Sequence, residues 1–193
     1  KEIHEQPAVI GDTLNSYVNQ KTSTVTLPML PFLLKDITRV SIVACGTSYY
    51  AGLIARYWIE SLASVPVDID TASEFRYRTP PLADGGVAIF ISQSGETADT
   101  LAALRYARKQ GQKIISVVNV SESTIARESD IVLPTCAGPE IGVASTKAFS
   151  TQLVTLACFS VALARAHDNI TAEREIALSR ALAEVPARAA DVL

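Results

Sequence analysis

The sequence predicts an α/β fold, a three-layer sandwich in which a five-stranded parallel sheet, ordered 2-1-3-4-5, lies between helices. Three observations predict it. Short apolar runs alternate with segments of helical spacing along most of the chain. Two of these runs pass through Ser/Thr-rich turns straight into a helix, at Cys45-Gly46-Thr47-Ser48 and at Ser92-Gln93-Ser94-Gly95-Glu96-Thr97. The third observation is that runs such as Val87-Ala88-Ile89-Phe90-Ile91 are apolar at every position, as in strands covered on both faces.

Taken in order, residues 3–19 set Ile3, Ile10, Leu14 and Val18 at near-helical spacing, a lead-in helix in which Pro7 is tolerated only near the start. Residues 21–31 break the pattern with Thr, Ser and two prolines, and 32–37 has room for a short helical turn. Residues 39–44 are the first, β-branched strand; the CGTS turn opens a helix running to about Leu62. Residues 65–70 form a second strand, weakened by Pro66 and therefore near a sheet edge. Residues 72–78 offer one helical turn bearing Glu74, Arg76 and Arg78. The third strand, 87–91, leads through SQSGET into a helix with Ala98, Leu101, Ala102, Leu104 and Ala107 along one stripe, closed at Gly111. A fourth strand spans 113–119, Ser121-Glu122-Ser123 cap a short helix to about Glu128, and 131–134 is the fifth strand. Beyond a loop at 137–146, residues 147–166 form a helix apolar around most of its circumference, expected to bury itself against the sheet and a second subunit or domain. Residues 171–193 read as a further helical stretch, interrupted at Pro186. The expected organisation is a lead-in helix and linker at 1–38, a sheet-bearing domain at 39–166, and a C-terminal helix or linker at 167–193.

Composition narrows the function classes. With 193 residues, 48% hydrophobic and 19% charged, the chain suits one domain with much apolar surface to bury. A net charge of −3 without any Lys/Arg block argues against a nucleic-acid partner. The 3 cysteines, Cys45, Cys136 and Cys158, lack metal-type spacing and suit a reducing, cytoplasmic setting. No window of membrane-spanning length is free of charged or polar residues, and the amino end is unlike a signal peptide. The first residue is Lys1 rather than Met, which reads as a piece of a longer protein.

The two turns carry the chemistry. A glycine lets the backbone bend sharply, the first N–H groups of the following helix point at the turn, and the positive helix end favours an anion there. Right-handed crossovers place strands one and three side by side at the switch point, so that both turns border one crevice. Neither turn contains Lys or Arg, which suits a phosphomonoester held by N–H groups and hydroxyls. A third turn, Val143-Ala144-Ser145-Thr146, follows the fifth strand on the same edge. Simple helix capping by Ser94 or Thr97 stands as the bland alternative. Asp68 and Asp70 stand where a ribose-binding acid would, yet Gly46 and Gly52 do not make a dinucleotide fingerprint. A P-loop is absent, Ser94 lacks the hydrolase frame, and His4 and His167 lie in flanking helices. Cys45 remains open as a nucleophile or a small turn residue.

With CGTS at 45–48, ASEFRYR at 72–78, SQSGETADTLAALR at 92–105, RESD at 127–130 and EIGVASTKAFSTQL at 140–153, the sequence resembles the sugar isomerase (SIS) family of phosphosugar-binding domains. Within it, the likeness is to the first of two tandem SIS domains in the hexosamine-forming, glutamine-dependent aminotransferases, and extends to KEIHEQP at 1–7. The resemblance implies a substrate-binding set of Cys45, Gly46, Thr47, Ser48, Ser92, Gln93, Ser94, Thr97, Val143 and Ser145. Of these, Ser48, Ser92, Gln93, Ser94 and Thr97 hold the phosphate, Thr47 lies beside it, and Val143 and Ser145 touch sugar hydroxyls. It implies fructose 6-phosphate as substrate and glucosamine 6-phosphate as product, with no metal or redox cofactor and a homodimer through apolar helices. It also implies that the catalytic residues lie in a glutaminase domain, a second SIS domain and a C-terminal tail outside this chain, so that this piece binds without turnover. Glu140 and Lys147 either border the site or serve the loop and helix around them. SIS domains also act as sugar-phosphate sensors in regulators, which would require an attached DNA-binding module, and a dimerisation role is a third reading.

Overall fold

The computed structural model describes residues 1–142 and 144–193. Its sheet is parallel throughout and follows the expected order. The strands are β3 (Val40–Ala44), β4 (Val67–Thr71), β5 (Val87–Ser92), β6 (Lys113–Val118) and β7 (Ile131–Pro134), arranged β4-β3-β5-β6-β7. The strand that follows Pro66 is an edge, as expected. Alternation along β5 divides the core in two. Val87, Ile89 and Ile91 face one helical layer, with Ile10, Ala51, Ile59, Leu156 and Phe159. Ala88 and Phe90 face the other, with Phe75, Leu104 and Ile125. The first layer is α1 (Glu2–Tyr17), α2 (Gly46–Ala63), α6 (Lys147–Ala166) and α7 (Ala172–Val192); the second is α3 (Ala72–Arg78), α4 (Ala98–Lys109) and α5 (Thr124–Arg127).

Two prolines behave differently from the sequence expectation. Pro7 sits well inside α1 instead of at its start, and the Ile3 carbonyl that its missing N–H leaves free accepts a hydrogen bond from Gln6 Nε2 at 3.1 Å. Pro186 does not interrupt α7, which continues to Val192. Its ring seats against α1 at Gly11, where an added Cβ would lie 3.9 Å from Pro186 Cγ, so interhelical packing carries the helix past the lost hydrogen bond. The lead-in helix stops at Tyr17, so Val18, read as its last apolar position, instead opens a hairpin of β1 (Val18–Asn19) and β2 (Thr24–Val25), the second strand of which lies in the stretch the sequence marks only as a break. Asn19 Oδ1 closes it by accepting the N–H groups of Lys21 and Thr22 at 3.0 and 3.3 Å.

Helix α6 is apolar enough and long enough to span a membrane by length and composition, but 72% of that window is buried in this fold. It crosses the sheet between α1 and α2, with α7 against its outer side. An apolar groove of about 500 Å³ stays open there, lined by Trp58, Leu62, Leu153, Leu178 and Leu182 among others.

Candidate functional site: two turns at the sheet switch point

Strands β3 and β5 pair directly, Ala44 opposite Ile91, and their chains then diverge to α2 on one face and α4 on the other. The CGTS and SQSGET turns therefore flank one point on the carboxyl edge, where open α/β sheets take their ligands. Gly46 and Gly95 both hold left-handed backbones, φ +58° and +65°. At Gly95 nothing larger fits, because a Cβ would stand 1.9 Å from Ser123 Oγ.

The SQSGET turn is wired internally. Buried Ser92 accepts the Gly95 N–H at 3.0 Å and shares a hydrogen bond with the Thr97 hydroxyl at 3.0 Å. Ser94 is exposed and accepts the Glu96 N–H at 3.2 Å, which leaves its own O–H free to donate outward. Glu96, an acid in a turn suited to an anion, directs its carboxylate to the Thr124 N–H at 2.6 Å. That amide holds Glu96 below the ordinary carboxylate range. The carbonyls of Gln93 and Gly95 accept from the N–H groups of Asn119 and Ile125, tying the turn to the ends of β6 and α5.

In the CGTS turn, Cys45 is half-buried at the N-cap of α2, while Gly46 and Thr47 are exposed. Ser48 is 8% exposed and its hydroxyl accepts from Gln152 Nε2 of α6 at 3.0 Å. The Ser48 proton is then available to a ligand. Gln152 is a residue that reading the turns alone does not reveal; its Oε1 is buried without a hydrogen-bond partner among the described residues.

The loop after β7 leads into α6, the helix that brings Gln152 to Ser48. Ser145 lies seven positions before Gln152, so one to two helical turns separate the start of α6 from the contact with Ser48. Ser145 Oγ donates to Glu140 Oε2 at 2.9 Å, and Glu140 Oε1 accepts the N–H groups of Thr146 and Ala148 at 2.9 and 3.2 Å. Glu140 thereby caps α6, and buried Lys147 pairs with Glu5 at 2.6 Å. Val143 lies outside the described residues. Asp68 and Asp70, considered for a ribose, instead pair with Arg39 and Arg78. Among the described residues no cluster of three or more His, Cys, Asp or Glu is arranged for a metal.

A family model described as the SIS domain matches residues 33–162. The chain belongs to the SIS domain family. Among curated relatives, a glutamine–fructose-6-phosphate aminotransferase (isomerizing) of Mesorhizobium japonicum is 61% identical across 100% of this chain and 32% of its own length. One from Bradyrhizobium diazoefficiens is 58% identical with the same coverage. This SIS domain thus spans about a third of the relatives it matches. Among solved structures, the C-terminal domain of glucosamine-fructose-6-phosphate aminotransferase from Francisella tularensis aligns at TM-score 0.90 and 42% identity, over 96% of this chain and 52% of that one.

Proposed function

We propose that this chain is the first of two tandem SIS domains in the isomerase half of a glutamine–fructose-6-phosphate aminotransferase, and that it holds the phosphate of fructose 6-phosphate between the CGTS and SQSGET turns. The carrying observation is that two glycine-hinged, hydroxyl-rich helix starts flank one switch point on adjacent strands. The N-termini of α2 and α4 supply N–H donors and positive potential, and Thr47, Ser48, Ser94 and Thr97 add hydroxyls without any cation. Gln93 extends the same turn, Ser92 braces it from beneath, and Cys45 and Gly46 set the approach of the backbone. Val143 and Ser145 belong to the sugar end of the site. Because Ser145 donates to Glu140, its oxygen is left to accept from a sugar hydroxyl.

In this reading the domain binds and orients the ketose phosphate. Ammonia from glutamine hydrolysis, imine formation and proton transfer come from the parts of the protein outside this chain, and glucosamine 6-phosphate leaves the same cradle. The apolar groove against α6 and α7 supports further protein packing there, as in a homodimer or against the second SIS domain, in a cytoplasmic enzyme.

The test is calorimetric titration with fructose 6-phosphate, glucosamine 6-phosphate and unphosphorylated fructose, beside a Ser94→Ala, Thr97→Ala double variant whose fold is checked by circular dichroism. Both phosphosugars are expected to bind, fructose is not, and the double variant loses at least about tenfold in affinity, since hydrogen bonds to a charged group contribute about 1.5–3 kcal/mol each. Equal binding of fructose and fructose 6-phosphate would overturn the reading.

A further inference from the structure

We infer that Glu2 and Glu5 in the first turns of α1 are positioning residues for the sugar end of the site, holding the loop that presents Ser145 in its working shape. The inference rests on the proposed phosphate cradle and adds to it a part of the chain that touches neither turn.

The loop is held from two sides. On the α6 side, Glu140 ties Ser145, Thr146 and Ala148 together. On the α1 side, Glu2 Oε1 accepts the Ile141 N–H at 2.6 Å, and Glu2 accepts the Gly142 N–H at 3.1–3.2 Å. Gly142 is shaped to this carboxylate, because a Cβ there would lie 2.6 Å from Glu2 Oε2. A few residues on, Lys147 is 4% exposed and donates to Glu5 Oε2 at 2.6 Å, while Ser150 donates to Gln6. A buried ammonium without its partner is costly, so Glu5 fixes where α6 begins. Hydrogen bonding from the Ile141 amide to Glu2, and from Lys147 to Glu5, keeps both acids below the ordinary carboxylate range and therefore charged at neutral pH. One helical face thus holds both Ile141 and Lys147, across 139 and 142 positions of sequence.

The two phosphate turns receive none of these contacts. Glu5 also seats α6 and with it Gln152, but Glu2 holds only Ile141 and Gly142. Releasing Glu2 should therefore weaken recognition of the sugar and leave recognition of the phosphate intact, a separation that general destabilisation does not produce.

In the full-length protein, the dissociation constants of fructose 6-phosphate and inorganic phosphate are measured for wild type, Glu2→Ala, Glu2→Gln and Gly142→Ala. Glu2→Ala is expected to weaken fructose 6-phosphate about tenfold, as befits loss of charge-assisted hydrogen bonds, with inorganic phosphate unchanged. Glu2→Gln, which retains one acceptor oxygen, falls between. Gly142→Ala displaces the same carboxylate from the other side and gives the same selective loss, and combining it with Glu2→Ala adds little. Unchanged fructose 6-phosphate affinity in Glu2→Ala, or equal losses for both ligands, would overturn the inference while sparing the cradle. Wild-type protein that binds fructose as well as fructose 6-phosphate would bring down the cradle and the inference with it.

Discussion

At the end of β5, a Cβ on Gly95 would overlap Ser123 Oγ at 1.9 Å; at the end of β3, a Cβ on Gly46 would meet nothing within 4 Å, although both residues have left-handed backbones. The two halves of one cradle are thus built to different standards. SQSGET is braced by its own serine, its own glutamate and the turn at 123–125. CGTS stands open and leans on one side chain, Gln152, delivered by a helix 104 positions away in sequence. A turn fixed before the ligand arrives gives up little conformational freedom on binding, whereas one that leans on a distant helix is only as ordered as that contact. Loosening the β5 turn should therefore show in stability as well as affinity, and loosening the β3 turn chiefly in affinity.

The largest effect expected from this difference is Gly95→Ala. A left-handed non-glycine residue costs about 1–2 kcal/mol, and displacement of Ser123 adds to it, for a total of about 3 kcal/mol or more by urea denaturation. Gly46→Ala carries the backbone term alone, about 1–2 kcal/mol. Equal losses at the two glycines would erase the distinction between the turns.

A smaller effect falls on the β3 side and shows in affinity. In Gln152→Leu the Ser48 hydroxyl loses its guide, but an unpartnered buried oxygen is removed as well, so stability stays within about 1 kcal/mol while phosphosugar affinity falls several-fold. Gln152→Glu is the sharper probe. A carboxylate accepts the Ser48 proton that the ligand requires and brings negative charge beside a phosphate, for a loss of about 10–100-fold that recovers as the pH is lowered and the new acid is protonated. Affinity that Gln152→Glu leaves unchanged at neutral pH would mean that Ser48 makes no donation to the anion.

The sequence is informative where a property is local. Five strands and the glycine hinge of SQSGET follow from patterns within a few residues, and the strand order from the right-handed crossovers that alternating strands and helices impose. What stays hidden is set by tertiary packing. Gln152 is one polar position on an apolar helix, and only the crossing of α6 over α2 gives it a partner. Glu2 and Gly142 become neighbours only once α1 packs against α6. Pro186 carries a breaker's chemistry, and the seat opposite Gly11 overrides it. The strands of the 18–25 hairpin, two residues each, are too short to show an alternation.

The mildest test concerns the link between the SQSGET turn and its neighbour. Glu96 is held below the usual carboxylate range chiefly by the Thr124 N–H, with help from that residue's side chain and from Arg127. A carboxylate with a lowered folded value contributes stability above its unfolded pKa and loses it as the pH falls through the folded value, so the link persists at neutral pH and opens only in acid below about 4.5. The Thr124 amide resonance should titrate with a midpoint under the ordinary glutamate value, and Glu96→Gln should abolish that titration with little change in stability at pH 7, since the side chain is exposed and keeps one acceptor oxygen. A midpoint at or above the ordinary value would show that the glutamate is not engaged, and that the β5 turn owes its order to Ser92 and to the carbonyls of Gln93 and Gly95 bonded to Asn119 and Ile125.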